Sequence, residues 1–156
     1  MKNKLTAREL SSFCGQMGML LHSGISTAEG LHILCDESKT DADRQILTPL
    51  IRSVEENGSL SRALDESGIF PTSMTAYVRT GEETGCLDEI MESLNIIEQL
   101  IDNIPEGPYQ EKMKPIIRVP EGSYYAAVED YNHAVLSGIV KIASKMGIST
   151  IQSLSL

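Results

Sequence analysis

The feature that most constrains the fold is a series of short apolar segments with helical spacing, separated by glycines. In residues 5–22 the apolar positions recur mainly three and four apart, as in a helix that buries one face. Gly24 follows this segment, and Gly58 follows a later one after Asn57. Glycine readily adopts the left-handed conformation that ends many helices. The spacing therefore predicts short helices joined by sharp turns.

Six such segments lie between residues 5 and 101, and their connections are short. Only 4% of the residues are aromatic and tryptophan is absent, so a core must come from Leu, Ile, Val, Ala and Met, which favours helix packing. We predict an all-α protein whose first domain, residues 5–101, is a compact six-helix bundle. Ser26 or Thr27 is expected to cap the second helix, and Ser59 is expected to cap the fourth. Pro49 either kinks the third helix or marks its first turn.

The composition changes after residue 101. Four of the six prolines lie in residues 105–120, which predicts a Pro- and Gly-rich, irregular or extended arm over residues 102–130. Two β-prone pieces, residues 116–119 and 124–128, lie within it. Helical spacing returns at residues 132–145, so residues 131–156 are expected to form a further helix and a tail. A non-native or chimeric origin of this segment is an alternative.

Residues 80–90, TGEETGCLDEI, combine a helix end, a glycine turn and a new helix start. Glu82 and Glu83 are adjacent carboxylates on this expected hinge. Catalysis by two carboxylates needs a second acid or base held opposite, and neighbours on a turn point in different directions. Binding of a cation or a partner is one alternative, and simple electrostatic stabilisation of a helix end is the preferred one.

No other residues form a convincing chemical site. His22, His32 and His133 have no third ligand at metal-binding spacing. The spacing of the cysteines fits neither a zinc site nor a redox pair, and their low number suits a reducing compartment. We therefore expect no catalytic residue, cofactor or metal. The methionines could line an adaptable binding groove, but core filling is preferred for Met17, Met19, Met74 and Met91.

The formal net charge of −9 argues against nucleic-acid binding and against charge-driven adhesion to anionic membranes. A basic protein partner remains open, although acidity that simply maintains solubility is the preferred explanation. No apolar run reaches the roughly 18 residues of a membrane-spanning helix, so we expect a soluble chain without a direct membrane span.

Five motifs occur in a fixed order: FCGQMGMLLHSGI (residues 13–25), AEGL (28–31), VEENGSLSRAL (54–64), FP (70–71) and GEETGCL (81–87). Together they resemble the cytoplasmic helical domain of the type II secretion system F family, over about residues 5–95. These are inner-membrane platform proteins of type II secretion and type IV pilus assembly. Full members also carry membrane-spanning helices and usually a second copy of the domain.

The resemblance implies a non-enzymatic protein–protein interaction module at the cytoplasmic face of the bacterial inner membrane. Its implied partners are the secretion ATPase and other platform proteins, and a homodimer is a further expectation. The acidic hinge and any exposed apolar stripe on the outer helices are the expected contact surfaces. The candidate interaction or hinge residues are Gly81, Glu82, Glu83, Gly85, Leu87, Gly24 and Gly58.

Two further resemblances concern the end of the chain. Residues 104–129 are similar to a segment of the complex I 49 kDa-type subunit, and residues 131–153 are similar to part of the glutamate synthase large subunit. Each is too short to fold as its parent domain, since a barrel needs about 200 residues or more. The alternative to an interaction module is thus a fragment of a flavin- or quinone-linked oxidoreductase, or a composite chain with no function beyond its first domain.

Overall fold

A computed structural model describes residues 3–117, with side chains for residues 3–114. This part of the protein consists of α-helices and contains no strand, which confirms the prediction of an all-α fold. The helices are α1 (Ala7–His22), α2 (Thr27–Glu37), α3 (Asp41–Asn57), α4 (Leu60–Ser67), α5 (Thr72–Thr84), α6 (Leu87–Asp102) and α7 (Pro108–Ile117).

Four helices begin at a hydroxyl side chain that accepts a backbone N–H of the first turn. Thr6 forms a capping box with Glu9, in which each side chain accepts the other residue's backbone N–H. Ser26, Thr40 and Ser59 cap α2, α3 and α4 in the same position. Of the predicted caps, Ser26 and Ser59 are therefore confirmed, and they set where α2 and α4 start.

The bundle is closed by its first and last long helices. α1 and α6 form the most extensive helix pair, while α2 to α5 pack mainly on their neighbours in the sequence. The pair is antiparallel, because Arg8 at the start of α1 bonds to Asp102 (3.2 Å) and His22 at its end bonds to Asp88 (3.1 Å). Fully buried side chains from several helices meet in one apolar core: Leu10, Met17, Leu31, Leu50, Leu60, Leu64, Met74 and Met91.

Small residues let α1 and α6 approach closely. A Cβ added at Gly18 would lie 3.3 Å from both the backbone nitrogen of Glu92 and the Cβ of Met91. Two turns earlier along α1, the Ser11 hydroxyl donates to the side-chain oxygen of Asn95 (2.8 Å). The two helices are therefore closely packed along this seam.

Two sequence expectations need correction or refinement. Pro49 lies inside α3 and does not mark its first turn. The arm expected to be irregular from residue 102 contains α7, because Pro108 occupies the first helical position, where its missing N–H is no loss. The buried Gln110 amide donates to the carbonyls of Ile101 and Ile104 (both 3.1 Å), which ties α7 to the end of α6. Of the two β-prone pieces, residues 116–117 lie in α7 and are helical, whereas residues 118–119 and 124–128 lie outside the described residues. The expected helix at 132–145 and the tail lie outside them as well.

Candidate interaction site

The predicted hinge is largely helical. α5 does not stop near Thr80 but continues through Gly81, Glu82 and Glu83 to Thr84. Only Gly85, with φ of 74°, is the turn residue before α6. The two carboxylates thus lie in the last turn of α5 rather than on the connection. The expectation that the helix stops at Gly81 is wrong, because tertiary packing retains this glycine within the helix.

Glu82 joins the end of α5 to the start of α4. Its half-buried carboxylate accepts the backbone N–H groups of Leu60 and Ser61 and the hydroxyls of Ser59 (3.1 Å) and Ser61 (2.6 Å). The first N–H groups of a helix have no partner within the helix, and its dipole favours a negative charge there. Glu82 therefore satisfies the α4 terminus. One feature of the sequence pointed to this arrangement, namely the two serines, Ser59 and Ser61, at the start of a helix.

Gly81 and Leu87 form the close contact between α5 and α6. A Cβ added at Gly81 would lie 3.0 Å from the Leu87 Cα, a separation that real Cβ atoms rarely show. Leu87 is half-buried against the core, whereas Glu83 is exposed. Packing thus accounts for Gly81 and Leu87 of the GEETGCL motif. Glu83 is the carboxylate of this motif that faces solvent.

The other predicted turn residues lie at helix ends. Gly24 follows the α1 cap Ser23 with φ of 86°, and Gly58 ends α3 with φ of 71°. Nothing lies within 4 Å of a Cβ added at either position, so the need for glycine comes from the backbone conformation. Any role of these two residues in binding a partner stays a prediction.

Two histidines form exposed hydrogen bonds between helices. His22 bonds to Asp88 and His32 bonds to Glu55 (2.8 Å), linking α1 to α6 and α2 to α3. The hydrogen bond from His22 is the main cause that lowers the pKa of Asp88. Within the described part, no three potential ligands cluster as a metal site.

Cys14 is an inert core residue. Burial, with a smaller effect of Glu98, raises the pKa of the Cys14 thiol. The thiol therefore stays protonated near neutral pH, and a protonated thiol is a poor nucleophile.

An open groove of about 760 Å³ lies between α1 and the α2–α3 turn. We call it the α1–α3 groove. Its floor is apolar, and both phenylalanines of the chain contribute to it, with ring centroids 5.3 Å apart. Leu34 and Leu47 belong to the floor and are only 7% exposed. The residues lining it are Leu5, Glu9, Ser12, Phe13, Gln16, Leu34, Glu37, Ser38, Lys39, Thr40, Asp43, Ile46, Leu47 and Phe70.

The rim of the α1–α3 groove is polar and mainly acidic. Glu9, Glu37 and Asp43 contribute three carboxylates, against the single ammonium group of Lys39. All four of these side chains are exposed. An apolar floor inside a charged rim is the usual arrangement of a protein-binding surface. Local periodicity could not reveal this groove, because it forms where α1 and α3 fail to pack on each other.

Met19 is the exception among the methionines predicted to fill the core. Met17, Met74 and Met91 are fully buried as expected, whereas Met19 is 70% exposed. Two residues along a helix turn its axis by about 200°, so position 19 points away from the face that buries position 17. Among residues 3–117, no helix is long and apolar enough to cross a membrane.

Comparison with known proteins assigns the bundle and the end of the chain to different sources. The family model for type II secretion system protein F matches residues 13–98, which is more than half of the chain. The model for the glutamate synthase central domain matches residues 91–155. These matches confirm two of the three resemblances found in the sequence, including that of the first domain.

Individual relatives include members of the protein transport and secretion machinery. The chain is 36% identical over 75 residues to the protein transport protein HofC homolog of Escherichia coli K12, covering 47% of this chain and 19% of the relative. It is 32% identical over 80 residues to type II secretion system protein F of Aeromonas hydrophila, covering 51% of this chain and 21% of the relative.

The third resemblance is also confirmed. A segment of 43 residues is 95% identical to the C/D subunit of NADH-quinone oxidoreductase from Bacteroides thetaiotaomicron, covering 28% of this chain and 8% of that protein. The matched regions thus span between 8% and 21% of the lengths of these relatives. Because the protein F model covers nearly the whole α1–α6 bundle and more than half of the sequence, the chain belongs to the type II secretion system protein F family.

Proposed function

We propose that this protein is a non-enzymatic interaction module of a type II secretion or type IV pilus platform. Its partners are the secretion ATPase and other inner-membrane platform proteins, and it acts at the cytoplasmic face of that membrane. The observation that carries the proposal is the coincidence of the family match, residues 13–98, with the bundle that presents the α1–α3 groove.

The chemistry of the bundle supports binding rather than catalysis. The carboxylate of Glu82 is engaged by the α4 terminus, and the Cys14 thiol is fully buried. The polar side chains of the α1–α3 groove lie mainly on its solvent-exposed rim, where a general acid or base would remain fully hydrated. An exposed acidic surface around an apolar floor is better suited to holding another protein.

Binding to a purified secretion ATPase tests this proposal. The full 156-residue chain would be titrated with the ATPase of a system that contains a protein F relative, such as that of Aeromonas hydrophila, using calorimetry. We expect saturable binding with a Kd of about 1–100 µM, as is usual for transient contacts of modest area. The absence of binding to that ATPase and to the other platform proteins of the system would refute the proposal.

A second candidate is a composite chain whose end derives from oxidoreductases. The 95% identity over 43 residues to the NADH-quinone oxidoreductase C/D subunit favours it, because the protein F relatives are only 28–36% identical. In this case the end of the chain contributes nothing to docking. A purified protein with flavin absorption would instead support an oxidoreductase fragment, whereas a colourless protein that binds the ATPase would support the interaction module.

A further inference from the structure

We propose that the α1–α3 groove binds an amphipathic helix of the partner, with an apolar face and flanking lysine or arginine residues. The inference rests on the proposed function and makes it more specific, because it names the surface and the chemistry of the segment that docks there. It also moves the main contact away from the predicted hinge at Glu82 and Glu83.

The floor of the groove suits an apolar helix face. Phe13 and Phe70 are buried, while Leu5 and Ile46 are only half-buried and leave apolar surface open to solvent. The groove runs beside α1, so a partner helix would complete the packing that α3 leaves unfinished, as in other helix-in-groove complexes.

The rim selects for a basic partner. The Glu37 carboxylate forms no hydrogen bond or ion pair with any residue in the described range, so its charge is available. Glu9 and Asp43 each use one carboxylate oxygen for local hydroxyl contacts with Thr6 (2.8 Å) and Thr40 (2.7 Å). Complementary charge on the partner would speed its association and exclude acidic segments.

Other occupants fit the groove less well. A second copy of this chain carries a net charge of −9, so its acidic surface would meet an acidic rim. A small-molecule ligand would need polar groups placed inside the cleft to fix its orientation, whereas most of the polar groups here lie exposed on the rim. A basic amphipathic helix satisfies both the floor and the rim.

Peptide titration tests the inference directly. The probe is a fluorescent helical peptide of about 18 residues, long enough to fold, with leucines along one face and lysines at both ends. Its matched control carries glutamates in place of the lysines. We expect the lysine peptide to bind the full chain at least about tenfold more tightly than the glutamate peptide, with affinity that falls as salt increases. Equal affinity for the two peptides would overturn the inference.

Two charge-reversal variants locate the site. Glu37→Lys changes the rim, and Glu92→Lys makes the same change of charge on an exposed part of α6 outside the groove. Glu37→Lys is expected to weaken the lysine peptide by about fivefold or more, because it replaces attraction by repulsion. Glu92→Lys is expected to change the affinity by less than about twofold, since screening weakens distant charges. Equal losses in the two variants would contradict a site in the groove.

Competition separates this inference from the proposed function. If the lysine peptide displaces the secretion ATPase and Glu37→Lys weakens both ligands, both proposals are supported. If the ATPase binds but neither the peptide nor Glu37→Lys affects it, the groove is not the docking site, although the module function stands. If the peptide binds as expected and no platform protein does, the groove inference stands and the proposed function fails.

Discussion

The two faces of α1 differ in their packing: one is closed against α6, and the other borders an open groove. One face carries Ser11 and Gly18, and these small residues bring the α6 backbone within contact distance. The other face carries Phe13 between exposed polar residues and borders the open α1–α3 groove. Residue size along a single helix thus distinguishes the side that closes within the bundle from the side that remains available to a partner.

The largest effect on stability is expected from enlarging a small residue on the face of α1 that packs on α6. Gly18→Leu should lower the free energy of unfolding by about 2–3 kcal/mol, because overpacking against the α6 backbone outweighs the helix propensity that leucine adds. Chemical denaturation of the full chain measures it. Gly15→Ala is the control, since the atoms nearest to its Cβ belong to the Asn95 side chain (3.0 Å) and not to the α6 backbone. This control should lose no more than about 0.5 kcal/mol, because the helix propensity that alanine adds offsets a small shift of Asn95. A neutral Gly18→Leu would show that the two helices are not closely packed.

The next largest effect on stability is expected at Glu82, at the end of α5. Glu82→Gln keeps the size of the side chain but places an amide where two backbone N–H groups and two hydroxyls converge. We expect a loss of about 1–2 kcal/mol in the free energy of unfolding, typical of a charge-assisted hydrogen bond replaced by a poorer one. Glu83→Gln, on the exposed neighbour, should change stability by less than about 0.5 kcal/mol. Similar losses for the two variants in chemical denaturation would remove the structural role assigned to Glu82.

The open face should tolerate substitutions that the closed face does not. Ser12→Arg places a large cation on the exposed wall of the groove, and it should change the free energy of unfolding by less than about 0.5 kcal/mol. The same variant should abolish measurable binding of the lysine-flanked peptide, because it fills the groove and repels the peptide. Denaturation and peptide titration on one sample provide the test. Retained peptide affinity would place the binding surface elsewhere.

The smallest effect is a pH dependence at the end of the α1–α6 pair. His22 holds the pKa of Asp88 below its ordinary value of 3.8, so the folded state favours the charged carboxylate. That contribution is present above the ordinary pKa and is lost as the pH falls through the lowered pKa. The stability advantage of the wild type over Asp88→Asn should therefore be seen at about pH 6 and should shrink below about pH 4. An advantage that grows on acidification would contradict this sign.

Local sequence patterns predicted the helices but not the contacts that join one helix to another. The three-and-four spacing around Leu10 and Met17 and the hydroxyl cap at Ser59 are encoded within one or two turns. The anchoring of α4 by Glu82 joins residues that lie far apart in the sequence, which no short motif reveals. Pro108 illustrates a further limit, because the same residue can break a helix or begin one.

Hydrogen–deuterium exchange on the complex tests the central claim most directly. The full chain would be measured alone and with saturating secretion ATPase, comparing backbone protection along α1, α2 and α3 with protection at the end of α5. Our account predicts new protection at residues 9–16 and 37–43, which border the α1–α3 groove, and little change at residues 81–87. Protection centred on residues 81–87, with none along the groove, would contradict it.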